Sequence, residues 1–388
     1  MKVFVVLSRV PYPLDKGDKL RAFNFIRYLS AYHDIYLCCL NEEILHPDAI
    51  KNIQPYCKEI NIINLTKAGI ALNLLKVLFT RKPFQIGYFY DSSAKSEIRK
   101  IINKIHPDHI FCQLCRMAEY VKEFNIPKTI DYQDVFSDGV KRRMLTEAFY
   151  LQPLLRTEYK RLIKYEHNVF QFFDNKLIIS AKDRDLIPHP LNHEIKVLPN
   201  GVDTKYYHPI KSEKEYDILF TGNLAYPPNI DACQYLVKEI LPLVRKKYPD
   251  VKVLLAGASA HVLVKRLQSE NVAITGWVDD MRKCYAKSKI FIAPMRIGTG
   301  LQNKLLEAMA MQLPCITTSL ANDALKAVEN RDVLIGNTAE NLAEKICSFL
   351  ENENLCNEIA SNANNFVQSY FSWEKNIEQL NKIITNTL

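Results

Sequence analysis

The chain has 388 residues, more than a single hydrophobic core usually organises, and its 48% hydrophobic residues are enough to fill two cores. The formal net charge of +8 favours acidic partners such as nucleotide phosphates or an anionic membrane face. A nucleic-acid binder is not favoured, because the basic residues are spread along the chain and no recognised nucleic-acid-binding module is present.

Short β-branched runs alternate with longer helical patterns, which is typical of βαβ units around a parallel sheet. Helical patterns cover 20–32 and 155–173. The predicted strands of the first half are 3–7, 35–40, 59–63, 109–112, 128–131, 176–179 and 194–198. The alternation starts again in the second half, where the predicted strands are 216–220, 251–256, 272–275, 290–293, 315–318 and 333–335.

This pattern predicts an α/β protein with two doubly wound, Rossmann-like domains, 1–198 and 215–360. The stretch 199–214 carries an Asn-Gly turn, a proline and a charge run, so we interpret it as a linker. Residues 361–388 are helical in pattern, and we expect them to pack back on the first domain. Five apolar residues of this segment can share one helix face: Phe371, Trp373, Ile377, Leu380 and Ile384.

The ten cysteines are scattered, which argues against a disulfide framework and favours the reducing cytoplasm. Cys112 and Cys115 form a lone CxxC pair without the further ligands of a zinc site, so we interpret them as buried thiols. The apolar start is too short for a signal peptide, and Lys67 and Lys76 interrupt the apolar stretch 60–80. We therefore expect a cytoplasmic protein without a transmembrane segment.

Glycines mark the carboxyl ends of three predicted strands in the second half. Gly222, Gly257 and Gly276 each lie at or just after a strand end, where open α/β sheets bind their ligands. A tight turn is the better explanation for any one of them. Together, at one edge of a sheet, the three glycines favour a ligand site.

The stretch 293–311, APMRIGTGLQNKLLEAMAM, is the most informative one. A predicted strand ends, a turn of Gly298, Thr299 and Gly300 follows, and a helix is predicted to begin near Leu301. Free backbone N–H groups at the N-terminus of a helix attract anions. This stretch therefore predicts an anion site.

Two cations and one acid accompany the turn. Arg296 precedes it and Lys304 lies on the first helical turn, so that both can hold a diphosphate without a metal ion. A solvated surface charge is the alternative for each cation. Glu307 lies one turn beyond Lys304 and suits the hydroxyls of a ribose, although a surface pair with Lys304 is also open.

The motifs of the second half follow in the order VLPNGVDTKYYHP, DILFTGNLAYPPN, ITGWVDDM and APMRIGTGLQNKLLEAMAMQLPCITT. This order resembles glycosyltransferase family 4 (group 1). The N-terminal SRVPYPLDKGDKLRAFNFIRYL resembles a sugar-transferase subgroup that opens with a Lys-Gly-Asp-Lys-x-Arg loop. The resemblance covers nearly the whole chain. It implies the GT-B fold, with two Rossmann-like domains facing a central cleft.

The same resemblance implies a retaining transfer from a nucleotide-diphosphate sugar, without a divalent metal ion. The donor would bind mainly to the C-terminal domain and the acceptor to the N-terminal domain. The residues expected to contact the donor are Gly17, Arg21, Gly222, Asn223, Trp277, Arg296, Gly298, Thr299, Gly300, Leu301, Lys304 and Glu307. The residues expected to serve catalysis are Arg296, Lys304, Glu307 and Asp134. In the mechanism that the resemblance implies, the departing diphosphate helps to deprotonate the acceptor, so the enzyme mainly positions the reactants and stabilises the leaving group.

Several N-terminal candidates have simpler explanations. Gly17 also fits an ordinary turn, and Arg21 also fits a charged helix start. Asp131 and Asp134 end a predicted strand, where they can contact the acceptor or the sugar. Capping of the following helix is the alternative for both aspartates.

The chain departs from the family pattern at three places. Thr299 stands where the first of two glutamates is usual, and Gly222 and Asn223 stand where a basic pair is common. The histidine that often follows a mid-domain strand is absent from IFCQLCRMAEY. Arg296 and Lys304 would therefore have to carry more of the phosphate charge.

Two stretches, 74–82 and 159–173, combine basic with apolar and aromatic residues, as helices on anionic membranes do. Core packing with a basic rim is the alternative. Core packing is favoured for 159–173, whereas 74–82 fits either explanation. Membrane contact by 74–82 would suit a lipid-linked acceptor.

We therefore hypothesise a hexose-transferring enzyme that builds a bacterial-type surface glycan, a polysaccharide or a lipid-linked precursor. A catalytically silent nucleotide-sugar-binding or scaffold subunit is the alternative from another class. A sugar-nucleotide epimerase would need a cluster of acids and histidines near the glycine turn, and none is present in the sequence there. A dinucleotide-dependent dehydrogenase is not favoured, because no G-x-G-x-x-G turn follows the first strand.

Overall fold

The computed structural model describes residues 1–297 and 300–386, except for the side chain of residue 146. The chain divides into two compact units. The first unit is Met1–Pro199 together with Glu374–Leu388, and the second unit is Asn200–Trp373. Each unit is an α/β structure around one parallel sheet, which confirms the predicted pair of doubly wound domains.

The first unit contains a seven-stranded sheet. Its strands are β1 (Lys2–Leu7), β2 (Asp34–Asn41), β3 (Glu59–Asn64), β4 (His109–Gln113), β5 (Lys128–Asp131), β6 (Asn175–Ile178) and β7 (Lys196–Val197). Its helices are α1 (Gly17–Leu29), α2 (Ala49–Ile53), α3 (Lys67–Leu78), α4 (Phe84–Phe89), α5 (Ser92–Ile105), α6 (Ala118–Val121), α7 (Phe136–Thr146), α8 (Gln152–Val169) and α9 (Ala181–Leu186). The strand order is β3-β2-β1-β4-β5-β6-β7.

The second unit contains a six-stranded sheet. Its strands are β8 (Tyr216–Thr221), β9 (Val253–Ala256), β10 (Val272–Ile274), β11 (Ser288–Ala293), β12 (Cys315–Thr317) and β13 (Leu334–Ile335). Its helices are α10 (Pro227–Tyr235), continued by a π-helical turn (Leu236–Ile240) and α11 (Leu241–Arg245), α12 (Val262–Lys265), α13 (Arg282–Ala286), α14 (Asn303–Ala310), α15 (Ser319–Leu325), α16 (Ala339–Glu351) and α17 (Glu353–Tyr370). The strand order is β10-β9-β8-β11-β12-β13.

Every predicted strand is present, with ends that differ by no more than a few residues. The reason is visible in β4, where all five residues are buried, and in β1, where only Lys2 is exposed. Parallel strands covered by helices on both faces appear in the sequence as continuous apolar runs, which are easy to recognise. The strand predicted at 194–198 is the least accurate, since β7 contains only two residues.

Both sheets reverse their strand order next to their first strand. In the first unit the reversal lies between β1 and β4, and in the second unit between β8 and β11. Crevices at such reversals, beyond the carboxyl ends of the strands, are where open α/β sheets bind their ligands. Each unit therefore has one preferred place for a site.

Helix α8 packs into the core of the first unit, as favoured for 159–173. Two of its buried acids bind the starts of other helices. Glu158 accepts hydrogen bonds from the backbone N–H groups of Phe84 (2.6 Å) and Gln85 (3.0 Å) at the start of α4, and Glu166 accepts one from Ser137 (3.2 Å) in α7. The buried residues of α8 are Leu155, Glu158, Leu162, Glu166 and Val169.

The C-terminal segment consists of two helices rather than one. The first, α17, ends at Tyr370 in the second unit, and the second, α18 (Trp373–Thr385), lies in the first unit from Glu374 onward. In the first unit, Asn381 Oδ1 lies 2.7 Å from His33 Nε2. The five apolar residues predicted to share a face are all buried: Phe371, Trp373, Ile377, Leu380 and Ile384.

The stretch predicted as a linker is mostly part of the second unit, which begins at Asn200. A backbone hydrogen bond holds this stretch in place: the N–H of Val202 donates to the carbonyl of Phe371 at 2.8 Å. Gly201 packs so closely on Trp373 that a Cβ there would lie 2.7 Å from the Trp373 nitrogen. The Asn-Gly pair therefore serves a close packing contact within the second unit.

Candidate functional site

The three glycines predicted at strand ends follow β8, β9 and β10, which are neighbours in the second sheet. Gly222 has a φ of 152° and Gly257 a φ of 148°, in the region that favours glycine. A Cβ on Gly257 would lie 1.7 Å from the carbonyl oxygen of Gly222, so no larger residue fits there. The two glycines let the loops after β8 and β9 touch, and the ligand site predicted for this edge of the sheet stays a prediction.

Lys304 lies in the first turn of α14, which begins at Asn303, two residues later than predicted. Its Nζ donates to Asn229 Oδ1 at 2.5 Å and lies 4.5 Å from the centre of the Phe220 ring. Within residues 1–297 and 300–386 no carboxylate forms an ion pair with this ammonium group. Burial lowers the pKa of Lys304 to about 8.

The ammonium group of Lys304 lies close to the glycine loop. A Cβ built on Gly222 would be 3.3 Å from Lys304 Nζ and 2.7 Å from Asn229 Nδ2. Asn229 in turn donates to the carbonyl of Asn223 at 2.9 Å. The structure thus brings together three residues predicted for one site, Gly222, Asn223 and Lys304, at the reversal between β8 and β11.

The carboxylate of Glu307 is held by tyrosines. Tyr285 donates its hydroxyl proton to Glu307 Oε2 at 2.8 Å, and Tyr207 forms a further hydrogen bond to the same side chain. Burial raises the pKa of Glu307 to about 7, against the opposing effects of the tyrosine hydrogen bonds and of Lys304. The side chain is only partly accessible, so a solvated surface pair with Lys304 does not describe it.

Arg296 has a different environment from Lys304. Its guanidinium group binds Asp231 through two hydrogen bonds of 2.8 and 3.1 Å and Glu239 through one of 3.2 Å, and it lies 4.1 Å from the centre of the Tyr235 ring. Two acids therefore already neutralise this cation. The structure does not join Arg296 to Lys304 around one anion.

The remaining candidates of the second unit lie around α14 and after β10. Gly298 and Thr299 lie outside the described residues, so the structure does not describe the substitution of the family glutamate. Gly300 has a φ of 101°, and Leu301 precedes α14 as a partly buried residue. Trp277 follows β10, is 68% exposed and donates its indole N–H to Asp279 at 2.9 Å.

Arg21 and Asp131 of the first unit bind each other. Arg21 Nε lies 2.6 Å from Asp131 Oδ2 and Nη2 lies 3.0 Å from Oδ1, and both side chains are completely buried. The pair connects α1 to the carboxyl end of β5 and contributes to the packing of the helix on the sheet. Gly17 is the first residue of α1, and a Cβ there would meet nothing within 4 Å.

Asp134 follows β5 and is exposed. No described residue donates a hydrogen bond to its carboxylate, and the residue before α7 is Val135, so helix capping is not its role. Desolvation by the surrounding protein, together with the carboxylates of Asp183 and Asp18, raises the pKa of Asp134 to about 6 although the side chain is accessible to water, and Arg142 opposes this rise. Asp134 is thus an available acceptor of hydrogen bonds.

Three residues of the Lys304 and Glu307 environment were not predicted from the sequence. Tyr207 and Asn229 lie inside motifs that carried the resemblance, in TKYYHP and AYPPN, so their positions gave a signal. Tyr285 lies on α13, where nothing local marks it, and only the packing of α13 against the sheet brings it to Glu307.

The part of the chain that the structure describes contains no group of three or more histidine, cysteine, aspartate or glutamate side chains placed to bind a metal ion. No described helix has both the length and the apolar character that crossing a bilayer requires.

Comparison with known proteins agrees with this fold. Residues 215–352 match the family model described as Glycosyl transferases group 1. The chain is 23% identical over 404 residues to an uncharacterised 44.6 kDa protein in the cps region of Klebsiella pneumoniae, over 96% of this chain and 97% of that protein. The matched residues all lie within the second unit.

Solved structures match over the whole chain. The HepE protein of Anabaena in complex with UDP aligns with a TM-score of 0.72 and 14% identity over 100% of both chains. A sucrose-phosphate synthase from Thermosynechococcus elongatus aligns with a TM-score of 0.71 and 14% identity, over 100% of this chain and 99% of that chain. At this level of identity the match shows the fold, which is the predicted GT-B type with two Rossmann-like domains.

Proposed function

Starting from the match of residues 215–352 to group 1 glycosyl transferases, we propose that this protein is a retaining glycosyltransferase of family 4. It transfers a hexose-type sugar from a nucleotide-diphosphate sugar to a surface-glycan, polysaccharide or lipid-linked acceptor. The observation that carries the proposal is Lys304, a partly buried cation without a carboxylate partner in the described structure, beside Gly222 and Asn229. Such a group is suited to an anion brought by a ligand.

The donor binds at the carboxyl edge of the second sheet. Lys304 contacts a phosphate oxygen, and the narrow loop at Gly222 lets the phosphate approach the backbone. Glu307, held by Tyr285 and Tyr207, accepts hydrogen bonds from ribose hydroxyls through the carboxylate lone pairs that the two tyrosines leave open. Trp277 offers an exposed aromatic face at the same edge of the sheet.

The chemical role of the protein in this proposal is to position the reactants and to stabilise the leaving group. As the bond between sugar and diphosphate breaks, negative charge grows on the phosphate, and Lys304 stabilises that charge. The diphosphate takes up the proton of the acceptor hydroxyl on the same face of the sugar. Asp134, with its free carboxylate, orients an acceptor hydroxyl by accepting a hydrogen bond.

Calorimetry with UDP, GDP, ADP and their sugars, without added metal, tests the donor site. UDP is the first nucleotide to test, because a solved neighbour holds it. We expect one nucleotide to bind selectively, with Lys304→Ala and Glu307→Ala each weakening binding about tenfold or more. Lys289→Ala, which removes an exposed lysine paired with Asp217 in the same unit, is the control.

Two results would contradict the proposal. Absence of binding by any nucleotide would remove the donor site. Selective binding without slow hydrolysis of the donor in the absence of acceptor, and without transfer in its presence, would favour the silent scaffold alternative.

The acceptor is proposed to be presented at an anionic membrane. Helix α3 buries only Val77, and its apolar side chains are largely uncovered. The large apolar side chains of this region, which we call the α3 surface, are Leu72 (57% exposed), Leu75 (56%), Leu78 (54%) and Phe79 (91%). The surrounding cations are Lys67, Lys76, Arg81 and Lys82. Exposed apolar groups framed by cations are suited to a lipid surface of negative charge.

A further inference from the structure

We propose that the first unit binds an anionic group of the acceptor, a phosphate or a carboxylate, through Arg116. This inference rests on the proposed transferase function and deepens it, because it gives the acceptor a chemical class. The site lies at the carboxyl edge of the first sheet, where the strand order reverses between β1 and β4. Ligands of open α/β sheets bind at such reversals.

Arg116 follows β4 and is enclosed by two aromatic rings. Its guanidinium carbon lies 4.5 Å from the centre of the Phe89 ring and 5.0 Å from the centre of the Phe136 ring. The Nε atom is buried and has no hydrogen-bond partner in the described structure. Ring faces stabilise the positive charge, but they do not accept the in-plane N–H groups.

No ion pair neutralises Arg116 within residues 1–297 and 300–386. The neighbouring cation, Arg9 after β1, lies 5.6 Å from the same Phe89 ring but is bound to Asp18 (3.2 Å) and Glu42 (3.4 Å). The two acids therefore serve Arg9 directly and act on Arg116 only from a distance. Arg116 is left as a cation whose hydrogen bonds are open to a ligand.

The turn that carries Arg116 has an unusual backbone. Leu114, directly after β4, has a φ of 66°, and Gln133, two residues after the end of the adjacent β5, has a φ of 60°. Positive φ is unfavourable for such residues and persists only where the surrounding structure holds it. Here the Leu114 N–H donates to the carbonyl of Asp131 at 2.8 Å, which fixes the start of the turn.

The chemistry of the group defines the ligand. A guanidinium group presents parallel N–H donors that match two oxygens of a phosphate or a carboxylate. A neutral sugar offers no such pair of charged oxygens. Arg116 also stands in IFCQLCRMAEY, the stretch in which the histidine of the resembled family is absent. We therefore expect the acceptor to carry its negative group next to β4.

The test uses calorimetry on the full chain with its selected nucleotide present. The probes are glucose 1-phosphate, glucuronate and glucose, which distinguish a phosphate, a carboxylate and a neutral sugar. We expect one anionic probe to bind and glucose to bind at least about tenfold more weakly. Arg116→Gln should abolish this difference, and Arg116→Lys should retain part of it because the charge remains.

Arg99→Gln is the matched control, since Arg99 is an exposed arginine of the same unit that pairs with Glu123. The nucleotide is present throughout, so it occupies the proposed donor site and keeps the phosphate probe away from Lys304. Arg116→Gln should leave the affinity for the nucleotide itself unchanged, which separates the two sites. A melting temperature of Arg116→Gln close to that of the wild type ensures that the variant is folded.

Three results would overturn the inference: no binding of either anionic probe, equal binding of glucose, or unchanged binding after Arg116→Gln in a folded protein. If Arg116→Gln instead weakens the nucleotide as strongly as Lys304→Ala does, the anion belongs to the donor and the acceptor assignment is wrong. If the wild type binds an anionic probe but no nucleotide, the proposed donor site fails instead.

Discussion

The hydroxyl group of Tyr285 donates its proton to Glu307 at 2.8 Å from within a completely buried ring. Because a tyrosine has a single hydroxyl proton, Thr221 Oγ1, which lies 3.0 Å from the same hydroxyl, must be the donor in that contact. A chain of hydrogen bonds thus runs from the end of β8 through α13 to α14. It fixes the Glu307 carboxylate next to Lys304 before any ligand is bound.

Glu307→Gln should stabilise the free protein at alkaline pH. Burial raises the pKa of Glu307 from 4.5 to about 7, so the folded state holds the proton more tightly than the unfolded state. The resulting loss of stability sets in as the pH rises above about 4.5 and is complete above about 7. We expect Glu307→Gln to gain on the order of 1 kcal/mol at about pH 8 and almost nothing at about pH 5.

Urea unfolding at both pH values measures this gain. Glu358→Gln, an exposed position on α17, is the control and should change the free energy of unfolding little at either pH. An equal gain from Glu307→Gln at both pH values would contradict the ionisation argument.

Nucleotide binding should be tightest between about pH 7 and 8. Below this range Glu307, with a pKa of about 7, becomes protonated and accepts ribose hydroxyls less well. Above it Lys304, with a pKa of about 8, loses the charge that attracts the phosphate. Calorimetry across this range should give a bell-shaped dependence of the affinity.

Variants separate the two sides of this dependence. Glu307→Gln should remove the decrease at acidic pH and keep the decrease at alkaline pH, and Lys304→Gln should do the reverse while binding more weakly throughout. If Glu307→Gln keeps the wild-type decrease at acidic pH, or Lys304→Gln keeps the one at alkaline pH, that decrease does not come from the substituted residue.

Breaking the buried pair between Arg21 and Asp131 should destabilise the fold. Either Arg21→Met or Asp131→Asn leaves a partner without its counterpart in the interior, which costs about 3–5 kcal/mol. Thermal unfolding measures the effect. Arg99→Met is the control, because its partner Glu123 is exposed and such pairs contribute less than about 1 kcal/mol. A small effect at Arg21 would mean that the pair is hydrated and available to a ligand.

Asp134→Asn should lower sugar transfer and leave nucleotide binding unchanged. Its carboxylate has no hydrogen-bond donor within the described residues, so a ligand hydroxyl is its natural partner. We expect transfer to fall about tenfold or more, as measured by product formation at saturating donor. Asp185→Asn, which changes an exposed aspartate on α9, is the control. Unchanged transfer in Asp134→Asn would exclude a direct role in acceptor binding.

The α3 surface should bind vesicles that contain phosphatidylserine more strongly than neutral vesicles. Phe79→Ser combined with Leu75→Ser should weaken sedimentation with the anionic vesicles, because both apolar side chains lie on this surface. Added salt should also weaken it, since each cation near the headgroups contributes about 1 kcal/mol. Ile44→Ser, which changes a 99% exposed isoleucine of the same unit outside α3, is the control. Equal losses in both variants would contradict a specific surface.

The sequence by itself determined the order of strands and helices, the two parallel sheets and the glycines at the carboxyl edge of the second sheet. These features depend on periodicity and composition within short stretches, such as the buried run of β4 or the glycines after β8 and β9. The resemblance of four ordered motifs added the GT-B fold, which the structural comparisons confirmed.

Only the tertiary structure decided which of the charged side chains can bind a ligand. Arg296, Arg21 and Arg116 look alike in the sequence, each a cation near a predicted strand end or helix start. Folding gives Arg296 a partner 65 residues away and Arg21 a partner 110 residues away, while Arg116 lies against two aromatic rings and forms no ion pair with a described residue. Contacts between distant segments decide which charged side chain still has N–H groups without a partner in the protein. A local sequence pattern does not predict such contacts.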